Sequence, residues 1–366
     1  MTAEIVIMNK RGVVASADSA ATVGNKTFNS ANKLFQLIKD KPIGILVFNN
    51  SEINGIPVEI IIKEFSKQKT GKPHNTMKDC VNDFKSFLKD FIKHHIGDWD
   101  CMASAFWDFL TVSSGLKDME FIREHLRNHP NIINIRKTKR LKADVEKYLK
   151  MYTPFVDKSI LDNNLDINKI IDIFLLFVNK SDVSSSFTGF SIFGYGDKDI
   201  YPKTYVFQSV GFVAPNVFKT FAESAHEDEQ DIIQLAQRDM SDMFIFGLPG
   251  RLRNAIKTIY NGVVAKLFIS IGGNNQYTKN IIEDALTQCA IEVDRTITGG
   301  RLANLQQSLP HLSLKDLSNL SETLISLECL KNRASLDIES VGGEVTTAII
   351  SKYEGFRWKK SQNSIQ

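Results

Sequence analysis

Two short apolar runs separated by a polar turn open the chain and limit what it can become. Ile5-Val6-Ile7-Met8 and Val13-Val14-Ala15 flank Asn9-Lys10-Arg11-Gly12. β-Branched residues on both sides of a short polar connection ending in glycine favour a hairpin of antiparallel strands. A hydroxyl residue, Thr2, stands at the start of the first strand. An acid, Asp18, ends the second, and Lys33 precedes a third apolar run. A nucleophile, an acid and a base thus fall within the first 33 residues, on strands that the hairpin makes neighbours.

A second hairpin follows. Leu34-Phe35-Gln36-Leu37-Ile38 and Ile43-Gly44-Ile45-Leu46-Val47-Phe48 flank Lys39-Asp40-Lys41-Pro42. Four consecutive strands in hairpin order predict an antiparallel sheet. Asn49-Asn50-Ser51-Glu52 reads as a helix start with Ser51 as its cap, and Ile56, Val58, Ile60, Ile61, Ile62 and Phe65 follow on that helix. Residues 75–182 read as helical. Val81, Phe84, Phe87, Leu88, Phe91 and Ile92 carry helical periodicity, and similar patterns recur at Ala103–Leu110, Leu116–Leu126, Arg140–Tyr152 and Ile167–Val178.

Strands resume with Phe187–Gly194, a turn at Tyr195–Asp199, and Ile200–Pro202 leading into Thr204–Phe207. The Gly194-Tyr195-Gly196 pair lacks the third glycine of a phosphate loop and leads into a strand, so it reads as a hairpin. Asp228–Phe246 reads as an amphipathic helix stopped by Gly247-Leu248-Pro249-Gly250. Helical pattern continues to about Phe268 and again from Lys279 to Ile297. Ser313 or Ser318 then caps a helix running to about Leu330, and Glu344–Ser351 with Phe356-Arg357-Trp358 makes a closing strand pair. Residues after Lys360 read as a frayed tail.

The totals exclude several classes. A chain of 366 residues with 43% hydrophobic and 24% charged residues has ordinary globular composition and material for a sizeable core. A net charge of +3 gives no reason to expect nucleic acid or an anionic membrane as partner. The cysteines, Cys80, Cys101, Cys289 and Cys329, form no C-x-x-C pair, so neither a zinc knuckle nor a disulfide framework is indicated, which fits a reducing cytosol. His125 and His129 stand four apart without the glutamate and third ligand of a zinc site, so no metal and no cofactor is expected. The longest apolar run, Ile173–Val178, falls far short of the ~20 residues of a membrane helix. The first residues do not read as a signal peptide, and a cytoplasmic protein is expected.

The pattern Thr2…Gly12-Val13-Val14-Ala15-Ser16-Ala17-Asp18-Ser19…Ala21-Thr22…Lys33-Leu34 resembles the start of a proteasome β subunit, a family of N-terminal-nucleophile (Ntn) hydrolases. Counting Thr2 as first, Asp18 falls in the family register, and Lys33 comes one residue early, which places a one-residue deletion between them. Phe190…Gly194…Ile200-Tyr201-Pro202 resembles the fifth and sixth strands of the bacterial proteasome-like branch. Asp337-Ile338-Glu339-Ser340 matches the Asp-x-x-Ser that supports the nucleophile in that family, with Val341 where the family has glycine. Asn49 stands in a loop where the family uses glycine beside its oxyanion donor, and asparagine tolerates the left-handed conformation better than most residues.

The resemblance implies an α+β fold, the four-layer αββα sandwich, as one domain over residues 1–366 with a helical insertion at about 75–182. Insertions of this kind cost little loop-closure entropy. It implies a threonine peptidase whose site is Thr2, Asp18, Lys33, Asp337 and Ser340. A threonine hydroxyl needs a base to take its proton, and a terminal threonine carries one in its own α-amine, of reference pKa roughly 7.7–8.0. That requires removal of Met1, and threonine is small enough for methionine aminopeptidase to cut before it. Peptide or protein substrates, a homo-oligomer, a ring and an ATP-driven unfoldase belong to the same implication. The alternatives are a non-catalytic structural or regulatory subunit of the same fold, or an amidase acting on a small molecule. Without the resemblance, Thr2 is a permissive second residue, Asp18 caps a turn and Lys33 is a solvated charge.

Overall fold

The first hairpin forms as the sequence predicts, and its second strand then decides the topology. Strands β1 (Ala3–Asn9) and β2 (Gly12–Ala17) pair antiparallel, with Asn9 opposite Gly12 across the turn. The free edge of β2 is taken by β13 (Thr346–Ser351), from the far end of the chain. The second hairpin, β5 (Leu34–Gln36) and β6 (Ile43–Asn49), therefore belongs to another sheet, and the expected single run of four strands does not occur. Between the hairpins lies a ribbon that the sequence reading lacks, β3 (Ala21–Val23) with β4 (Lys26–Phe28).

This computed structural model describes residues 2–23, 26–96, 105–106, 109–110, 136, 139–152, 167–180, 187–214, 216–227, 230–252, 302–335 and 340–360, together with 254–256, 258–259, 262–263, 284–285, 287–288, 291–292 and 295. The chain is α+β and divides into two compact units that interleave in sequence. The first comprises Met1–Leu34, Ile200–Lys203 and Glu227–Gln366, and the second Phe35–Asp199 and Thr204–His226. Among the described residues no helix is long and apolar enough to cross a membrane.

The first unit is built on a five-stranded sheet in which β12 (Asp231–Ala236), β1, β2, β13 and β14 (Gly355–Lys360) lie side by side in that order, antiparallel throughout. Strand β12 (Asp231–Ala236) lies within the first half of the helix expected over Asp228–Phe246. Its Asp-Ile-Ile-Gln-Leu-Ala pattern suits either period, and pairing with the exposed edge of β1 selects the strand. Only Asp239–Phe246 is helical (α5), ending at Gly247 in the left-handed conformation, φ 81°. Helix α6 (Leu314–Arg333) opens on a capping box: Ser313 accepts from the Asp316 N–H and the Asp316 side chain accepts from the Ser313 N–H. Ser318 lies inside this helix.

Leu317, Leu324, Ile325 and Cys329 of α6 pack with Ala3, Ile5 and Ile7 of β1 and Val14 of β2. Odd positions of β1 therefore face the helix, and Thr2, Glu4, Val6 and Met8 project from the other face. Both faces are buried along all of β1 and β2. Asn9 ties the hairpin turn to the approach to α6: its Nδ2 donates to the carbonyls of Leu309 and Leu312, and its Oδ1 accepts from the Arg11 N–H. β13 turns back at Gly355 into β14 (Gly355–Lys360).

The second unit has a five-stranded sheet of order β11-β10-β9-β6-β5. It joins β5 and β6 to β9 (Thr188–Gly194), β10 (Lys203–Ala214) and β11 (Val217–His226). The sequence reading has no counterpart of β11, whose last residue His226 stands two residues before the helix expected from Asp228. Ser51 does not cap a helix. Instead β7 (Glu52–Ile53) and β8 (Ile56–Pro57) form a miniature hairpin around Asn54 and Gly55, both at positive φ. Asparagine and glycine are the residues that adopt this turn without strain. Helix α1 then runs Val58–Lys69, and α2 runs Met77–His95 behind a second capping box at Thr76. Phe65, Phe84, Phe190 and Phe207 form an aromatic cluster between these helices and the sheet. Helices α3 (Lys139–Tyr152) and α4 (Ile167–Lys180) bury a separate apolar face built on Val145, Tyr148 and Phe174 with Phe106 and Phe109. The helix expected at Leu116–Leu126 and most of that expected at Lys279–Ile297 lie outside the described residues.

Candidate active site

One end of the first unit's sheet holds a line of buried polar side chains. Thr2 enters β1, and its carbonyl accepts from the Gln237 N–H at 2.8 Å, continuing the pairing with β12. Asp18 follows the last residue of β2, and its N–H donates to the Ala3 carbonyl at 3.2 Å. The two strand ends are therefore locked side by side by backbone bonds before any side chain is considered.

The Asp18 carboxylate is fully engaged. Its Oδ1 accepts from the Ala3 N–H at 2.9 Å and from Lys33 Nζ at 2.5 Å. Its Oδ2 accepts from the Ala20 N–H at 3.1 Å and the Gly342 N–H at 3.0 Å. Both partners of the ion pair are buried, Asp18 being 1% and Lys33 7% exposed. Three backbone donors and an ammonium group on one carboxylate fix its position and hold the Lys33 head in place.

Thr2 is joined to this pair through a residue that the sequence reading does not single out. Thr2 Oγ1 donates to Glu4 Oε2 at 3.2 Å, and Glu4 Oε1 lies 3.9 Å from Lys33 Nζ. Residues two apart on a strand share a face, so the contact follows from the pleat. Glu4 sits opposite Ala17 on β2 and Leu235 on β12. Between these apolar neighbours its carboxyl is held up to about 8, by burial first, opposed by the Lys33 charge, reinforced by Asp18 and opposed again by the Thr2 hydrogen bond. The available signal was an acid inside an apolar strand, Ala3-Glu4-Ile5-Val6, on a strand too hydrophobic to have a solvent face.

Asp337 lies outside the described residues. Ser340 is buried, and its N–H and Oγ both approach Asn332 Oδ1 of α6, at 3.4 and 3.3 Å. The loop's link to Asp18 comes instead from Gly342, which also accepts the Ser19 N–H at 3.1 Å. Gly343 follows at φ +73°, where a Cβ would stand 2.2 Å from Ser19 Oγ. The small residues this loop needs thus stand after Val341. Asn49 belongs to the second unit and has φ 70°, the left-handed conformation expected of it.

Among the described residues no group of three or more His, Cys, Asp or Glu side chains is placed to hold a metal ion. His125 and His129 lie outside the described residues.

No family model matches the chain, and no curated protein matches it. Among solved structures the chain is similar to the Anbu (Gly-1) mutant from Hyphomicrobium sp. strain MC1, at 11% identity over 98% of this chain and 86% of that one, with a TM-score of 0.30. A similarity of that size carries no argument about what this chain does.

Proposed function

We propose that the chain is an Ntn hydrolase of the proteasome-like kind, a threonine peptidase that cleaves peptide bonds through Thr2 once Met1 is removed. The observation supporting this most is the junction at the strand ends. The Asp18 carboxylate binds Lys33 Nζ and the backbone N–H next to Thr2 at the same oxygen. The proposed fold is the four-layer αββα sandwich, a reading supported by two five-stranded sheets, each with helices packed on it.

In the proposed reaction Thr2 Oγ attacks the carbonyl carbon of the scissile amide as its proton passes to a base. The C–N bond breaks, the amine leaves with that proton, and water hydrolyses the Thr2 ester. The freed α-amine has a reference pKa near working pH, where a general base performs best. Lys33 supplies positive charge, and Asp18 fixes Lys33 and the Thr2–Ala3 backbone. Ser340 and Asp337 are the remaining proposed site residues. A cytoplasmic homo-oligomer, arranged as a ring and served by an ATP-driven unfoldase, is the assembly proposed with it.

The test is hydrolysis of a panel of fluorogenic peptides and small amides by protein whose intact mass shows loss of Met1. Peptide turnover that Thr2→Ala lowers more than roughly 10³-fold supports the reading. Turnover of small amides alone assigns an amidase. Retained Met1 with no turnover assigns a structural or regulatory subunit.

A further inference from the structure

Glu4 is a buried acid on the reacting oxygen, and the α-amine chemistry leaves it without a task. It is 1% exposed. Its Oε2 takes the Thr2 hydroxyl, and its Oε1 has no hydrogen-bond partner among the described residues, the nearest cation being Lys33 Nζ at 3.9 Å. An ionised carboxylate offers about four acceptor sites. Among the described residues Asp18, along the same line, is satisfied by four donors, whereas Glu4 receives one. A purely structural acid in such a place is a poor arrangement, since an unsatisfied buried group costs about 1–3 kcal/mol, more when charged. Its cross-strand neighbours, Ala17 and Leu235, offer no polar atom from their side chains.

We infer that Glu4 is a catalytic residue and that Glu4, in place of the α-amine, carries the Thr2 hydroxyl proton. As Thr2 Oγ bonds to the carbonyl carbon, the Oγ–H proton passes to Glu4 Oε2. As the C–N bond breaks, Glu4 gives that proton to the departing nitrogen. In the second half, water attacks the Thr2 ester, Glu4 takes a water proton, and it returns that proton to Oγ when the ester C–O bond breaks. Protons and electron pairs balance, and water is the one added reactant. Burial lifts the proton affinity of Glu4 to about 8, near that of a terminal amine, so the ionised carboxylate that accepts the proton is the main form only in mildly alkaline solution. Lys33 lies close enough to steady the carboxylate when it is charged. This inference rests on Thr2 being the nucleophile.

The experiment measures the second-order rate at which a peptide vinyl sulfone alkylates Thr2, in wild type, Glu4→Gln and Glu4→Asp, each shown by intact mass to lack Met1. Thermal midpoints are recorded alongside. Glutamine keeps the shape and cannot take a proton. The expected result is labelling slowed about 10²-fold or more in Glu4→Gln, within the range for a lost general base, with an unchanged or higher midpoint and partial recovery in Glu4→Asp. Labelling of Glu4→Gln at the wild-type rate overturns the role of Glu4 and leaves Thr2 as nucleophile standing. Slow labelling with a lowered midpoint and no recovery in Glu4→Asp overturns it in favour of a structural role. Wild type that begins at Thr2 and is not labelled overturns both.

Discussion

The two sheets bury different kinds of side chain. In the second unit the core is aromatic and aliphatic: Phe84 stacks its edge on Phe65 and Phe190, with ring centroids 5.2 and 5.5 Å apart, and all three are fully buried. Its buried acid Asp199 serves a loop, accepting the N–H groups of Met77 and Gly196. In the first unit, one end of the sheet buries Thr2, Glu4, Asp18 and Lys33 together. Burying a large apolar side chain stabilises by about 1.5–3 kcal/mol. A buried ion pair contributes little net stability against apolar residues of equal volume, although breaking one is costly. The second unit also buries Lys219, whose Nζ donates to the Val178 carbonyl at 3.1 Å, but most of its core is apolar and acts as a stability element. The first keeps charges where stability alone gives them no reason to persist, and this contrast is why the chemistry is assigned to it.

Substitutions in the two regions should therefore separate stability from labelling. The largest effect is expected from Lys33→Met, which leaves Asp18 buried without its counter-charge. It should destabilise by about 3–5 kcal/mol and, in the folded fraction, slow alkylation of Thr2. Chemical denaturation and labelling kinetics on one sample measure both. A Lys33→Met protein with wild-type labelling would erase the contrast between the sheets. Phe84→Ala should cost a similar 3–5 kcal/mol and leave the labelling rate of the folded protein unchanged. A matching fall in labelling at Thr2 would mean that the second unit's core also sets the chemistry.

The third effect is a pH dependence. The Glu4 carboxyl is raised from 4.5 to about 8 by burial. In that window the folded chain holds a proton that the unfolded chain has released. Its contribution to stability is therefore full below about pH 4.5 and is lost as pH rises through about 8. Glu4→Gln removes this titration. Relative to wild type, the variant should gain on the order of a few kcal/mol between those limits, seen as urea midpoints that diverge with rising pH. Parallel midpoint curves would show that Glu4 does not titrate with folding, and would place it nearer Asp199, the hydrogen-bonded acid of the second unit.

The first hairpin, the closing strand pair and the Ser313 cap were legible because each is settled by residues close in sequence. Asp18 and Lys33 were found by resemblance, and the structure places them in direct contact. What sequence reading missed depends on distant partners. Strand β12 looks helical until β1 offers it an edge. Ser51 looks like a cap unless Asn54-Gly55 is given its weight as a hairpin turn. Glu4 is an unremarked acid until β2 and β12 enclose it and the pleat aligns it with Thr2. Gly342, whose N–H reaches Asp18 from 324 residues away, carries no local signal at all.

The most direct measurement is to treat the purified protein with a peptide epoxyketone and locate the adduct by mass spectrometry of the N-terminal peptide. The account predicts a chain that begins at Thr2, one adduct per chain on that residue, and none in Thr2→Ala. A chain that begins at Thr2, is folded, and carries no adduct there contradicts it.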